Sequence, residues 1–438
     1  MKKLIMLLCV SCLSSTAFSS STPPADAASD TEIKLEGLFG FQAGYGNQSK
    51  LSSEQSKYIT DNKKKLGFYS DAAFSVTGKQ EFNDVIAGGK IVLLTTTKPK
   101  GTPSVNGSHI FLETDYGKVE LGSPYDAANK MGISGAKVAA ASCGFAWSKY
   151  VSLDDSSMQY KGMNPEFEVT PPSVIDSFTN GFDDINKGTE PARKVSYYTP
   201  EIQGFQFGIS YIPDSANTGG HRNIKNLDSK TGRSKLKTGI NEVELPGIDG
   251  GKGDTVIYNY NVKDAISAGI SYKYEILDDM AVEVGVTGEH AKPARKLIVL
   301  DPNGKMLSSN KLSDLNAYNL GAVLTYGNIS CAGSYGSLGK SLTSKTYHKV
   351  GRDTKYYNGT IAYGQGPIKA SLSYFKSLKY KNTVDTVSLG TEYKITPGLL
   401  PYAEISHFQA KGKPVYLIEA PKKKTKGTVA LIGAKLKF

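Results

Sequence analysis

The stretch Ile266-Ser267-Ala268-Gly269-Ile270-Ser271-Tyr272-Lys273-Tyr274-Glu275-Ile276 alternates without a break. Ile266, Ala268, Ile270, Tyr272, Tyr274 and Ile276 are apolar or aromatic, and the residues between them are small, polar or charged. Successive side chains of a strand point to opposite faces, so this is a strand with one apolar and one polar face. Leu277-Asp278-Asp279 turns the chain. Met280, Val282, Val284 and Val286 then alternate with Ala281, Glu283, Gly285 and Thr287. Together the two runs predict an antiparallel hairpin.

The same pattern extends outward from this hairpin in both directions. Ile33, Leu35, Gly37, Phe39, Phe41, Ala43 and Tyr45 oppose Lys34, Glu36, Leu38, Gly40, Gln42 and Gly44. Phe205, Phe207, Ile209 and Tyr211 oppose Gln206, Gly208 and Ser210, and similar runs occupy 318–326 and 368–375. The pattern predicts strands at 32–46, 64–80, 86–97, 107–115, 117–122, 192–199, 203–213, 264–276, 279–290, 313–326, 328–338, 354–364, 366–378, 383–394, 398–409 and 427–438. That makes about 16, and an even count is what a single-chain bacterial barrel requires. Residues 254–262 also alternate, but a strand there would break the order of connections, so they are assigned to a loop.

The connections are alternately tight and long. Asp115-Tyr116-Gly117, Gln365-Gly366-Pro367 and Thr396-Pro397-Gly398 are tight and rich in turn residues. The long ones cover 47–63, 98–106, 123–191, 214–263, 291–312, 339–353 and 410–426, and the short 379–382 is the exception to the rule. Short turns at one end and long loops at the other are the asymmetry of a membrane barrel.

Composition separates a barrel from a soluble sandwich. The 438 residues are 39% hydrophobic, with 26 Tyr, 46 Gly and one Trp. Mean hydropathy is -0.30, too polar for a bundle of membrane helices. A sandwich of this size needs a core of large aliphatic residues, whereas the apolar face here is rich in Tyr, Gly and Ala. A barrel accounts for this, with lipid outside and water inside, and closure leaves no unpaired edge for lipid to contact. Tyr45, Tyr211, Tyr274, Tyr326 and Tyr335, at strand ends, suit the two membrane interfaces.

Lys2 and Lys3, the apolar run from Leu4 to Leu13 and the small-x-small site Ala17-Phe18-Ser19 read as a secretory signal. The expected organisation is a cleaved signal peptide at 1–19, an N-terminal segment at 20–31 and a β-barrel at 32–438. Cys143 and Cys331 remain after the signal, and nothing in their spacing pairs them. The net charge of +11 draws on runs such as Lys63-Lys64-Lys65 and Lys422-Lys423-Lys424. These fall in predicted loops after an export signal, which argues for a solvated surface facing polyanions and against nucleic acid.

The final strand, Thr428-Val429-Ala430-Leu431-Ile432-Gly433-Ala434-Lys435-Leu436-Lys437-Phe438, carries Ala430, Ile432, Ala434, Leu436 and Phe438 on one face. It resembles the C-terminal signature that the insertion machinery of outer-membrane barrels reads, with Phe438 as its last residue. Val195 to Tyr211 and Leu35-Glu36-Gly37-Leu38-Phe39-Gly40 resemble segments of Gram-negative general porins. That resemblance implies an all-β fold, a transmembrane antiparallel barrel of 16 strands whose third long loop folds inward. It also implies a homotrimer in the outer membrane, in contact with lipid and lipopolysaccharide, exported through the cleaved signal. The implied function is a water-filled channel for ions and small hydrophilic solutes. The third long connection, 123–191, takes the position of the pore-narrowing loop, and Asn164-Pro165-Glu166-Phe167 resembles a Pro-Glu-Phe piece found in that loop.

A porin works through pore width and fixed charge. Acidic candidates for the constriction are Glu166, Glu168, Asp176, Asp183 and Asp184. Basic candidates on the pore wall, by strand parity, are Lys34, Lys90, Lys118 and Lys194, and the excess of lysine favours anions. Asp71, Glu120, Lys273, Glu275, Glu283 and Glu392 share the inward parity. His109, His221, His290, His348 and His407 belong to no nucleophile or metal motif, so neither an enzyme nor a metal or cofactor site is expected. Two other readings share the barrel: a channel selective for sugars or organic acids, and a plugged surface barrel serving as adhesin or structural anchor.

Overall fold

The alternating runs pair with one another in the computed structural model, which describes residues 31–49, 66–96, 104–142, 144, 146–151, 192–215, 241–246, 252–258, 261–277, 279–294, 296–301, 303–345, 353–379, 381–412 and 423–438. Residues 1–30, including the expected signal peptide, lie outside this set.

The strands, in chain order, begin with β1 (Thr31–Gln48), β2 (Leu66–Phe82), β3 (Val85–Thr96), β4 (Ser104–Thr114), β5 (Gly117–Gly122), β6 (Lys194–Tyr198) and β7 (Phe205–Asp214). They continue with β8 (Asn241–Pro246), β9 (Lys252–Tyr258), β10 (Val262–Leu277), β11 (Met280–Pro293), β12 (Leu297–Leu300), β13 (Met306–Asn310), β14 (Leu315–Tyr326) and β15 (Ile329–Gly339). The last are β16 (Thr354–Gln365), β17 (Ile368–Lys379), β18 (Asn382–Tyr393), β19 (Leu399–Gly412) and β20 (Lys423–Lys437). Sixteen of them form one closed antiparallel barrel, each paired with its neighbour and β20 with β1. These sixteen are the runs that alternation marked out.

Register keeps the two faces separate around the ring. Tyr272 opposes Val284, which opposes Ala322; Ser267 opposes Ser210, which opposes Ser196. The apolar set is left exposed, as at Ile266, Ile270, Leu320, Leu389 and Ile432. The five interface tyrosines, 45, 211, 274, 326 and 335, are all exposed on this side. Tight turns follow their chemistry. Asn83 and Asp84 both have positive φ, 42° and 66°, as a two-residue hairpin of the primed kind requires. Gly204 sits at φ +84°, with Lys273 O only 2.1 Å from where a Cβ would stand.

Four strands were not expected. β8, β9, β12 and β13 form a separate sheet in the order β13-β12-β9-β8. Its strands come from the two long connections 214–263 and 291–312, and β9 covers part of 254–262. The alternation there is real, but it serves pairing between loops: Val299 opposes Val256, joining two hairpins. β9 stands outside the barrel, as the order of connections requires, but it is a strand of this second sheet and not a loop.

Candidate functional site

A cavity of about 840 Å³ opens on the polar face of β1 to β5. Its wall is built by parity. Lys34 opposes Thr77, which opposes Lys90, which opposes His109. Phe111 opposes Glu120 on β5. The strand pattern thus delivers charge from β1, β2, β3 and β5, and the rings of His109 and Phe111 from β4, to one surface. Six lysines line it (34, 79, 90, 118, 130 and 437) against three glutamates (32, 36 and 120), so the cavity is net basic.

The charges are interleaved. Glu36 accepts from Lys34 at 2.8 Å, Lys90 at 3.2 Å and Ser75 Oγ at 3.0 Å. Glu32 pairs with Lys79 at 2.9 Å. Glu120, only 3% exposed, is held by Lys130 and stands 4.0 Å from Lys118. Lys118 also reaches Glu113 at 3.4 Å and lies 4.5 Å above the Phe111 ring. Burial pulls the Lys130 ammonium below the ordinary lysine range, and the Glu120 carboxylate opposes that pull. Glu36 and Glu120 are each shared between two lysines and Glu32 is paired with one, which fixes the lysines while leaving surplus positive charge on the cavity wall.

The first part of the 123–191 connection forms the upper border through Ser123, Pro124, Tyr125 and Lys130. It opens with a short helix, α1 (Ala127–Met131), capped by the Asp126 side chain on Asn129 N. The segment then follows the polar face from strand to strand. Ala127 N donates to Ser210 Oγ on β7 at 2.9 Å, and Ala128 N to Ser267 Oγ on β10 at 2.8 Å. Asn319 on β14 donates to Ile133 O, and Gly135 N donates to Asn358 on β16. Ala140 N reaches Ser371 on β17, Ala141 N reaches Glu392 on β18, and Ser142 and Gly144 reach Glu404 on β19. Lys435 on β20 donates to Ala141 O, Trp147 stacks on Phe408 at 4.5 Å, and Tyr69 on β2 donates to Lys149 O. Irregular backbone next to a wall needs such partners, and the polar face supplies them.

Glycines let the segment lie close. A Cβ on Gly285 would stand 2.7 Å from Met131 O, and one on Gly321 would stand 2.3 Å from Ile133 O. Gly285 and Gly321 are directly opposed across β11 and β14. Glycine inside an alternating strand marks close approach of another backbone.

Of the sequence-derived lysines, Lys34, Lys90 and Lys118 line the cavity. Lys194 has the same parity but is 3% exposed, and its Nζ donates to Pro124 O at 2.6 Å. It fastens the start of the segment. Glu166, Glu168, Asp176, Asp183 and Asp184 lie outside the described residues. Glu120 lines the cavity, Glu283 pairs with Lys137, and Glu392 and Glu404 hold the segment. Sequence reasoning missed Lys130, Glu404 and the glycines. Glu404 and the glycines were readable as polar-face positions of alternating strands.

Phe438 turns to the other face. Its ring stacks with Phe39 at 6.0 Å and meets Phe74 edge-on at 6.5 Å, lying over Gly37. Cys331 is free, and Cys143 lies outside the described residues.

Whole-chain relatives are uncharacterized proteins of Rickettsia bellii, 56% identical, Rickettsia felis, 55%, and Rickettsia conorii, 54%, each matched over 100% of both chains. Among solved structures, the anion-selective porin from Comamonas acidovorans is similar in fold. It has a TM-score of 0.52 at 14% identity, over 93% of this chain and 100% of that one. The sequence profile described as Gram-negative porin matches residues 13–413. With its closed sixteen-stranded barrel, the chain belongs to the Gram-negative porin family.

Proposed function

We propose that the protein forms a water-filled outer-membrane channel through which ions and small hydrophilic solutes diffuse, with a preference for anions. The observation that carries this reading is the cavity on the polar face, where six lysines outnumber three glutamates. In a narrow aqueous passage, fixed charge of one sign raises the local concentration of counter-ions. The likeness to the Comamonas porin is one of fold, so the sign of the preference rests on these side chains.

In this reading the connection 123–191 folds inward and sets the width of the passage. The run of hydrogen bonds from Ala127 to Lys149 along the polar face supports that path. The acidic residues Glu166, Glu168, Asp176, Asp183 and Asp184 are proposed to face the lysines across it. The leader at 1–19 would direct export before cleavage, and the outward apolar face would meet lipid and lipopolysaccharide.

A homotrimer is part of the proposal. β5 and β6 have six and five residues, fewer than the ~9–11 that a tilted strand needs to cross a bilayer. Their outward side chains include the exposed Leu121 and Val195. A neighbouring copy would cover this low section of wall.

Refolded protein in a planar bilayer tests the reading. Discrete current steps that close in thirds are expected. A folded barrel that gives no steps rejects the channel and favours the plugged anchor.

A further inference from the structure

The inward face of a membrane barrel with an open lumen is polar, and at the long-loop end of this one it is not. Ile212 on β7 opposes Ala265 on β10. They lie two residues from Ser210 and Ser267, whose side chains hold the segment on the inward face, so they point inward too. Leu315 on β14 is four residues from Asn319, which holds Ile133 O. Further round, Phe408 on β19 is four residues from Glu404, Val384 on β18 opposes Ala410, and Val429 on β20 opposes Ser406. Ile212, Ala265, Leu315, Val384, Phe408 and Val429 are each no more than 1% exposed.

These side chains form one contiguous cluster with Trp147 and Leu342, both 1% exposed. Trp147 stacks on Phe408 with ring planes 14° apart. Leu342 follows β15 and sits at φ +54°, a left-handed conformation that leucine rarely adopts. Its N–H donates to Ser313 O at 3.1 Å, and Ser313 N donates to Thr343 O at 2.9 Å. Strain of that kind persists only where the surroundings enforce it. Here it delivers an apolar side chain into the barrel.

The wall of β1 to β5 is different. Tyr69, inward on β2 opposite Gln42, is 38% exposed. The side chains of Lys34, Lys90 and Lys118 are 62%, 33% and 34% exposed. We infer that the long-loop half of the lumen holds a dry apolar core against β7 to β20, and that solutes cross only along β1 to β5, past the lysine cavity. Burial of the apolar face keeps water out of that core, so the walls it covers add nothing to the conducting section. The route rests on the channel reading above and deepens it by making the lysines unavoidable for every permeant.

The test begins with the unaltered mature chain in phosphatidylcholine vesicles, because Trp147 is the one tryptophan and its fluorescence reports the core. Iodide on both sides is the aqueous quencher, and brominated phosphatidylcholine is the lipid one. Quenching by iodide is expected to be roughly tenfold weaker than for free tryptophan, as close packing demands. Brominated lipid is expected to leave the emission unchanged. Strong quenching by iodide means a wet lumen, strong quenching by brominated lipid puts Trp147 on the outward face, and either overturns the inference. The route is read separately, with an anionic methanethiosulfonate on single cysteines in a C143S/C331S background. H109C is expected to lose most of its conductance and A265C to keep it. Loss at A265C, or none at H109C, overturns the route; if a cysteine variant fails to fold, the tryptophan measurement still decides. A parent that conducts while its Trp147 is quenched fails this inference alone. A folded parent that never conducts fails the channel reading, and the core then stands or falls on the quenching result.

Discussion

Glu404 and Ser142 are joined twice: Glu404 Oε2 accepts from Ser142 N at 3.0 Å and from Ser142 Oγ at 2.6 Å. The same oxygen takes Gly144 N at 3.2 Å, while Oε1 accepts from Ser406 Oγ at 3.0 Å. One buried carboxylate on β19 thus holds the turn of the segment that follows the polar face. Removing it leaves two backbone donors without a partner, and each orphaned donor costs about 1–3 kcal/mol. E404A is expected to lower the melting temperature of the folded barrel and to add rapid flicker to the single-channel current. Quiet channels with parental stability would show that the segment does not depend on this anchor.

The glycine positions make a paired test. At Gly321 a Cβ would meet Ile133 O at 2.3 Å, while at Gly288 the nearest atom is Ala317 O at 3.9 Å. Both lie in strand interiors, so propensity changes alike. G321A is expected to destabilise by about 1–3 kcal/mol through overpacking and to alter conductance by shifting the segment. G288A should stay within about 0.5 kcal/mol and conduct as the parent does. Denaturant titration in detergent and single-channel recording read both effects.

Charge substitutions on the cavity wall should move selectivity in opposite directions. Glu36 is shared by Lys34 and Lys90, so E36Q frees two cations and is expected to strengthen anion preference. K90E reverses one charge in the same cluster and is expected to weaken or reverse it. Reversal potentials measured for the two variants under one salt gradient must fall on either side of the parent value.

Phe438 closes the barrel at its seam. Its backbone exchanges hydrogen bonds with Gly37, and its ring packs with Phe39 and Phe74 on the outward face. F438A is expected to cost about 0.5–1.5 kcal/mol of aromatic contact beyond the area lost. Yield in the outer membrane of a Gram-negative host should fall further than yield of refolding in detergent, because only the former needs the terminal residue to be read. An equal fall in both would confine Phe438 to packing.

The sixteen barrel strands were legible because a membrane barrel writes its two faces into strict alternation: Ile266 to Ile276 could face only one way. Parity also placed Lys34, Lys90 and Lys118 on the polar face, where they line the cavity. It could not tell an open position from a covered one. Lys194 shares their parity, but Pro124 lies over it, and nothing local to Lys194 encodes that contact. The sheet of β8, β9, β12 and β13 stayed hidden because it joins two connections distant in sequence, so its pairing depends on where the barrel brings their ends. The close approach at Gly285 and Gly321 was written in the sequence as small residues on polar faces, without an indication of which backbone would fill the space.

The most direct test of the account is the reversal potential of the refolded protein in a planar bilayer under a potassium chloride gradient. The account predicts discrete open steps with a reversal potential displaced toward that of chloride. A displacement toward potassium would contradict the assignment of the lysine cavity as the controlling charge, and a folded barrel without steps would contradict the channel itself.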